Sequence, residues 1–341
     1  MSPIPVKNVY NMLVYAFDLL KTKTYERLGR EDCADVYNLL ATLLLCGAGT
    51  LVKRGLIKSY VPTTETLRTI RGRVDFTASM LPLKNAKAIC TFDVLSPDHV
   101  FNQVLKTTLI YLTQTDLQPH IQRDIHKILP HFSHVTTIAP THIPWGQLSF
   151  NRHNIHYDTL LYFCRLILDS AIAKQNQGGN DFRTIEEKLL PKLFEKFVCA
   201  FYKKHLPQTH TVEAGRHIKW KADHTTLLPT MRTDVIITSN TQVLILDTKY
   251  YRNTLQRHYH NETIISSHLY QIFAYVKNFP QAQHQGKTLG GMLLYPQVDV
   301  AVCEAYHIDG HMYHVQTVDL NQDFCHISQA LTNGIRRALS P

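Results

Sequence analysis

Val243-Leu244-Ile245-Leu246-Asp247-Thr248-Lys249 is the stretch whose reading decides the fold. Four consecutive apolar residues, two of them β-branched, describe a strand covered on both faces. Such a strand ordinarily ends in a polar turn. This one ends in a carboxylate and an amine two residues apart, and because side chains alternate along a strand, Asp247 and Lys249 point to the same side. Upstream, Asp234 stands directly before a second apolar run, Val235-Ile236-Ile237, and Ser239-Asn240 supplies a turn between the runs. A hairpin of the two strands brings Asp234 close to Asp247.

Working outward, residues 185–205 form an amphipathic helix with Leu189, Leu190, Leu193, Phe194, Phe197 and Phe201 on one face. Strands are expected over 211–218, 231–238 and 242–249, then a helix over 264–278 and a short strand over 289–295 entered through Gly290-Gly291. A hairpin of 300–308 with 311–318 turns at Asp309-Gly310, and a helix over 327–339 closes the chain. The order is α-β-β-β-α-β plus a hairpin and a helix. In the first half, 9–20, 36–52, 102–115 and 121–129 read as helices. Short strands lie within 58–76, around an Arg71-Gly72-Arg73 turn, and over 88–94. Pro140, Pro144 and Gly146 interrupt the periodicity before a strong helix at 157–173, so the expected domains are 1–153 and 154–341. The fold class is α+β.

The 341 residues carry 36 Lys+Arg against 27 Asp+Glu, a formal net charge of +9. With 44% hydrophobic and 18% charged residues, disordered and fibrous classes are excluded, and the basic balance suggests an anionic partner such as nucleic acid. The charge is not spread evenly: residues 183–257 hold 13 Lys+Arg against 7 Asp+Glu, whereas 258–341 hold 4 against 6. Seven cysteines without a C-x-x-C spacing argue against a disulfide framework or a zinc ribbon and point to reduced thiols in the cytoplasm. Neither a signal peptide nor an uncharged apolar window of about 18 residues is read, so no membrane association is expected.

Two carboxylates held together repel unless a cation lies between them. Mg²⁺ takes hard oxygen ligands, including one or two carboxylates and a substrate phosphate. Asp234 and Asp247 are the candidate ligands, and the Thr248 backbone carbonyl offers a third oxygen. Lys249 beside such a metal orients or deprotonates a water, or stabilises phosphate charge in the transition state. This is the chemistry of phosphodiester hydrolysis. The other reading of the same residues is a salt-bridged strand end with no metal. Glu195, on the helix before the strands, is a further candidate carboxylate, and Gln271, on the helix after them, a candidate for ordering a water. Both also read as ordinary surface residues. Arg232, Arg252 and Arg257 are the nearest cations in sequence for DNA phosphates. Gly286-Lys287-Thr288 mimics the end of a P-loop, but Gln281 stands where that motif needs glycine, so no nucleotide site is expected. The pairs His131/His134 and His258/His260 lack a third metal ligand.

The D-x12-D-x-K pattern resembles the PD-(D/E)xK nuclease signature, and more of the chain is similar to the McrC family. The similar segments are Ile4-Pro5-Val6-Lys7-Asn8-Val9-Tyr10-Asn11-Met12-Leu13, Ile70-Arg71-Gly72-Arg73-Val74-Asp75-Phe76, Thr91-Phe92-Asp93, Leu246-Asp247-Thr248-Lys249-Tyr250-Tyr251 and Leu269-Tyr270-Gln271, in the family's order and reaching to about residue 320. The resemblance implies a restriction-endonuclease-like core in the C-terminal half, with Asp234, Asp247 and Lys249 at the catalytic positions. It implies a mixed, β-rich, finger-bearing N-terminal domain that docks on a hexameric McrB-like AAA+ ring and stimulates its GTPase. GTP is then bound by that partner, not by this chain. The implied activity is Mg²⁺-dependent, GTP-powered cleavage of double-stranded DNA carrying modified cytosine. Arg71 or Arg73 is the candidate for reaching into the partner's nucleotide site. A stand-alone DNA-repair nuclease and a catalytically silent regulator of an AAA+ ring are the competing readings.

Overall fold

The computed structural model describes residues 4–18, 33–80, 85–177, 181–250, 255–258, 261–280, 285–298 and 300–340. It divides into two compact units: Met1–Arg30 with Glu186–Pro341, and Glu31–Ile185. The first helix, α1 (Val6–Ala16), therefore belongs with the C-terminal half. The break falls at 185–186, well beyond the 153–154 boundary expected from sequence.

The unit Glu31–Ile185 contains α2 (Val36–Arg54), β1 (Ser59–Leu67), β2 (Arg73–Val74), α3 (Phe76–Ser79), β3 (Ala88–Ser96), α4 (Val100–Thr113), α5 (Pro119–Ile128) and α6 (His156–Gln177). It is mainly helical, not β-rich: its described strands form one three-stranded sheet in the order β1-β3-β2. The Asp35 carboxylate caps α2 by accepting from the Asn38 amide at 2.8 Å. By length and mean hydropathy α2 would pass for a membrane-crossing helix, though its uncharged stretch stops at Lys53. Here it is a core helix, with Leu39, Leu40, Leu43 and Leu44 buried and packed on α5 and α6. Buried Asn102 ties the unit together. Its amide donates to the carbonyls of Ile57 (2.8 Å) and Pro97 (2.7 Å), and its oxygen accepts from the Tyr157 hydroxyl at 2.8 Å. The prolines taken as a boundary belong to short 3-10 turns of this unit, and Ile143 among them is buried.

The β1–β3 ribbon pairs antiparallel over nine residues, Ser59 against Ser96 through Leu67 against Ala88. β1 is exposed along most of its length, with Tyr60 at 72%, whereas β3 is mainly half-buried; Phe76, at the start of α3, is 75% exposed. Gly72 has φ +69, and a Cβ there would lie 2.4 Å from the Thr91 carbonyl oxygen. The Arg71-Gly72-Arg73 turn therefore needs glycine for both its conformation and its approach to β3.

The other unit contains α7 (Asp181–His205, its first residues in the neighbouring unit), β4 (Thr211–Ala214), β5 (His217–Ile218), β6 (Met231–Arg232), β7 (Val235–Thr238), β8 (Gln242–Thr248), β9 (Leu255–His258), β10 (Asn261–Ile264), α8 (Ser266–Asn278), β11 (Thr288–Pro296), β12 (Cys303–Ile308), β13 (His311–Val318) and α9 (Phe324–Ala338). Six strands form a mixed sheet in the order β12-β13-β11-β8-β7-β4. β8 and β13 run parallel to β11, and β7 runs antiparallel to β8. The apolar run Val243–Leu246 is buried throughout, as a central strand requires. Val243 and Ile245 face α8 in a core with Ile236, Ile272, Val276, Leu293 and Val315. Gly291 lets this helix approach, since a Cβ there would sit 2.8 Å from Ile272 Cγ1. Asn8 of α1 donates to the carbonyls of Leu320 and Gln322, and Tyr15 packs against Phe197, Phe201 and Phe324. These long-range contacts bind α1 into this unit.

Candidate active site

The pairing of Val235 with Leu246 places Asp234 opposite Asp247 at the ends of β7 and β8. Alternation puts both on the α8 side of the sheet, with Ile236 and Ile245. Asp234 Oδ2 accepts two hydrogen bonds, from the Thr248 amide at 2.8 Å and the Thr248 hydroxyl at 2.7 Å. Thr248 thus fixes Asp234 through its amide and side chain, a role the sequence reading did not assign.

Asp247 is 1% exposed. Its Oδ2 lies 2.6 Å from the Lys249 ammonium, and no well-aligned hydrogen-bond donor among the described residues reaches it. Burial first, and then the Asp234 charge, push the Asp247 carboxyl from 3.8 up to about 6. Lys249 opposes the rise and Glu195 adds to it. Glu195 on α7 is raised in turn, chiefly by burial and then by the charge of Asp234. Three carboxylates from two strands and a helix therefore repel one another around one point.

The Lys249 backbone N–H donates to the Leu294 carbonyl of β11 at 2.9 Å, and its ammonium donates to Gln271 Oε1 on α8 at 2.7 Å. Gln271 Nε2 donates to the Tyr275 hydroxyl at 2.6 Å. An ammonium can only donate, so the amide oxygen must face Lys249 and the amide nitrogen must face away. Tyr275 satisfies that nitrogen and so anchors the far end of the amide. The sequence signal for it was the spacing of four from Gln271, which puts both on one helix face. His268, buried one turn earlier with Nδ1 3.1 Å from the Tyr295 hydroxyl, is pushed down to about 4 by burial and then by the Lys249 charge. It is neutral at working pH and adds no cation to the site.

The structure therefore gathers Asp234, Asp247, Lys249, Gln271 and Glu195. Arg232 is exposed on β6, within electrostatic reach of Glu195. Arg252 lies outside the described residues, and Arg257 falls on β9 with its side chain outside them. In the other unit Arg71 stacks on the Phe92 ring at 4.3 Å, and Arg73 is exposed on β2. Gly286 to Thr288 is a turn into β11, with the Lys287 ammonium bound to the Ser239 carbonyl at 2.7 Å.

The donor set suits a hard cation. Asp234 and Asp247 face each other across the strand ends, one Asp247 oxygen is buried without a well-aligned donor, and burial and then the Asp234 charge raise the Asp247 carboxyl. Among the described residues no three His, Cys, Asp or Glu side chains form a ready metal cage, so a cation here would rest on one or two carboxylates with water and substrate oxygens, as Mg²⁺ does. Lys249, beside Asp247, is held on the rim of this group.

Comparison with known proteins bears on what such a site serves. The chain is 31% identical over 338 residues, 96% of each protein, to the type IV methyl-directed restriction enzyme EcoKMcrBC of Escherichia coli (strain K12). A structure of Thermococcus gammatolerans McrB AAA+ hexamers with bound McrC shares the fold. It has TM-score 0.56 at 14% identity, covering 98% of this chain and 76% of that one. A cryo-EM structure of the Thermococcus gammatolerans McrBC complex aligns at TM-score 0.42 and 17% identity, over 60% of this chain and 59% of that one. Residues 6–296 match the profile described as McrBC 5-methylcytosine restriction system component, and the chain belongs to that family.

Proposed function

We propose that the chain is the McrC-type nuclease subunit of a GTP-dependent type IV restriction complex, acting in the cytoplasm on DNA that carries modified cytosine. The observation that carries the proposal is the buried Asp247 carboxylate, set opposite Asp234 and paired with Lys249. As a structural salt bridge this arrangement is poor, because Asp247 is buried against the Asp234 charge with Lys249 as its one ion-pair partner among the described residues and is left under-bonded. As a metal-assisted phosphodiesterase it is coherent.

Asp234 and Asp247 would hold Mg²⁺, with Glu195 as a further carboxylate. Bound there, Mg²⁺ supplies Lewis-acid charge for the phosphoryl oxygens. Thr248 locks the Asp234 carboxylate through one oxygen and leaves the other for a cation. Lys249, held by Asp247 and Gln271, presents a fixed positive charge to the developing phosphorane. Gln271 keeps that ammonium oriented, and Tyr275 anchors the Gln271 amide from its nitrogen side.

The partner is proposed to be an McrB-like AAA+ hexamer that binds the GTP and recognises the DNA. The β1–β3 ribbon, where Tyr60 is uncovered, together with exposed Ile70, Phe76 and Met80 of the segment between its strands, is the surface we assign to docking, and the Arg71–Arg73 turn to stimulating the partner's GTPase. Purified chain, partner, GTP and Mg²⁺ should all be needed to cleave a modified duplex. Cutting by the chain alone, without GTP, would instead make it a stand-alone nuclease.

A further inference from the structure

Between β5 and β6, every residue from Lys221 to Thr230 is exposed. Leu227 and Leu228 stand at its tip, Leu227 at 98% exposure and with φ +67, a backbone region a leucine rarely adopts. The base of the loop is firm. Trp220 Nε1 donates to the Pro229 carbonyl at 2.8 Å, and the Lys221 amide donates to Asn278 Oδ1 at 2.8 Å. Each stem is tied to an element of the active site. One leads through Met231-Arg232-Thr233 into Asp234. The other is pinned to α8 seven residues beyond Gln271, about 10 Å along the helix axis.

The charge around the tip is positive. Lys219, Lys221 and Arg232 are exposed, against Asp223 as the one carboxylate between residues 219 and 232. Asp223 is itself engaged by the His224 ring at 3.0 Å. A water-exposed leucine pair framed by cations suits a polyanion with an apolar interior. Leu, Met, Phe and Pro are the side chains that architectural proteins insert between base steps from the minor groove, and the tip reads Leu227-Leu228-Pro229.

We propose that this loop is a DNA wedge. Leu227 and Leu228 enter the minor groove of the duplex being cut, while Lys219, Lys221 and Arg232 hold the flanking phosphates. The proposal rests on the nuclease reading above and names how that site grips its substrate.

The test uses the full chain with its AAA+ partner, GTP and a modified duplex carrying 2-aminopurine scanned along the sequence. The wild-type complex should brighten one position. The double variant Leu227→Ala/Leu228→Ala should abolish that signal and weaken cleavage about tenfold, the equivalent of roughly 1.4 kcal/mol. Its partner binding and GTPase stimulation should be unchanged. Lys219→Ala and Lys221→Ala should each lower the slope of log affinity against log salt by about 0.9, a slope the leucine pair leaves alone. Unchanged fluorescence and cleavage in the double variant would overturn the wedge and leave the nuclease reading intact. So would loss of partner binding, which would make the loop a protein contact. A wild-type complex that brightens one position without cutting would sink the nuclease reading alone.

Discussion

Asp247→Asn should make the metal-free protein more stable while destroying its activity. Burial and the Asp234 charge hold the Asp247 carboxyl at about 6 in the folded chain, against 3.8 ordinarily. A carboxyl raised on folding favours the folded state while protonated. That contribution is fully present below about pH 4 and is lost as pH rises through about 6. Two pH units correspond to roughly 3 kcal/mol, and with Asp247 1% exposed water does little to screen it. Asparagine keeps the shape without the charge, so its advantage should be near zero at pH 4 and approach that figure at pH 8. Thermal unfolding in a chelator at both pH values reads the difference. Adding Mg²⁺ at pH 8 should then stabilise the wild type and leave the asparagine variant nearly unmoved, because ligand stabilisation requires binding to the folded state. A wild type at least as stable as the variant at pH 8 in chelator, or a gap that ignores pH, would refute the reasoning.

Other perturbations probe the supports of the site. Tyr275→Phe removes the partner of Gln271 Nε2 and loosens the amide that holds Lys249, so kcat should fall about tenfold with DNA affinity unchanged, whereas a general packing defect would lower thermal stability instead. Gly291→Ala forces Ile272 and α8 away from β11. Overpacking of this kind costs about 1–3 kcal/mol, and cleavage should drop along with the melting temperature. Gly72→Ala, strained by its φ and by the Thr91 carbonyl, should weaken partner GTPase stimulation in a titration while leaving the melting of the C-terminal unit unchanged.

Much of this site was legible because strand physics is local. An uninterrupted apolar run, a D-x-K ending and a turn at Ser239-Asn240 fixed which residues share a face, and the register then set Asp234 across from Asp247. The Asp309-Gly310 turn was readable for the same reason, and both residues have positive φ. What escaped the sequence depends on contacts made at a distance. Thr248 binds Asp234 only because the two strands pair in one register, and the part Tyr275 plays follows from where α8 lies on the sheet. α1 joins the C-terminal unit through Asn8 and Tyr15, whose partners lie about 180 to 310 residues away. The prolines near 140 suggested a boundary because they break periodicity, yet a 3-10 turn carries them with Ile143 buried beside them. The β-rich expectation for the first half came from family resemblance; apart from one exposed ribbon and a two-residue strand beside it, helices make its core.

The central claim is that Asp247 serves cleavage and not partnership. The direct measurement is Asp247→Ala assembled with the AAA+ partner, with GTP hydrolysis and cutting of a modified duplex followed in the same reaction. The account predicts undiminished GTP hydrolysis with no strand breaks. Strand breaks at the wild-type rate would contradict it.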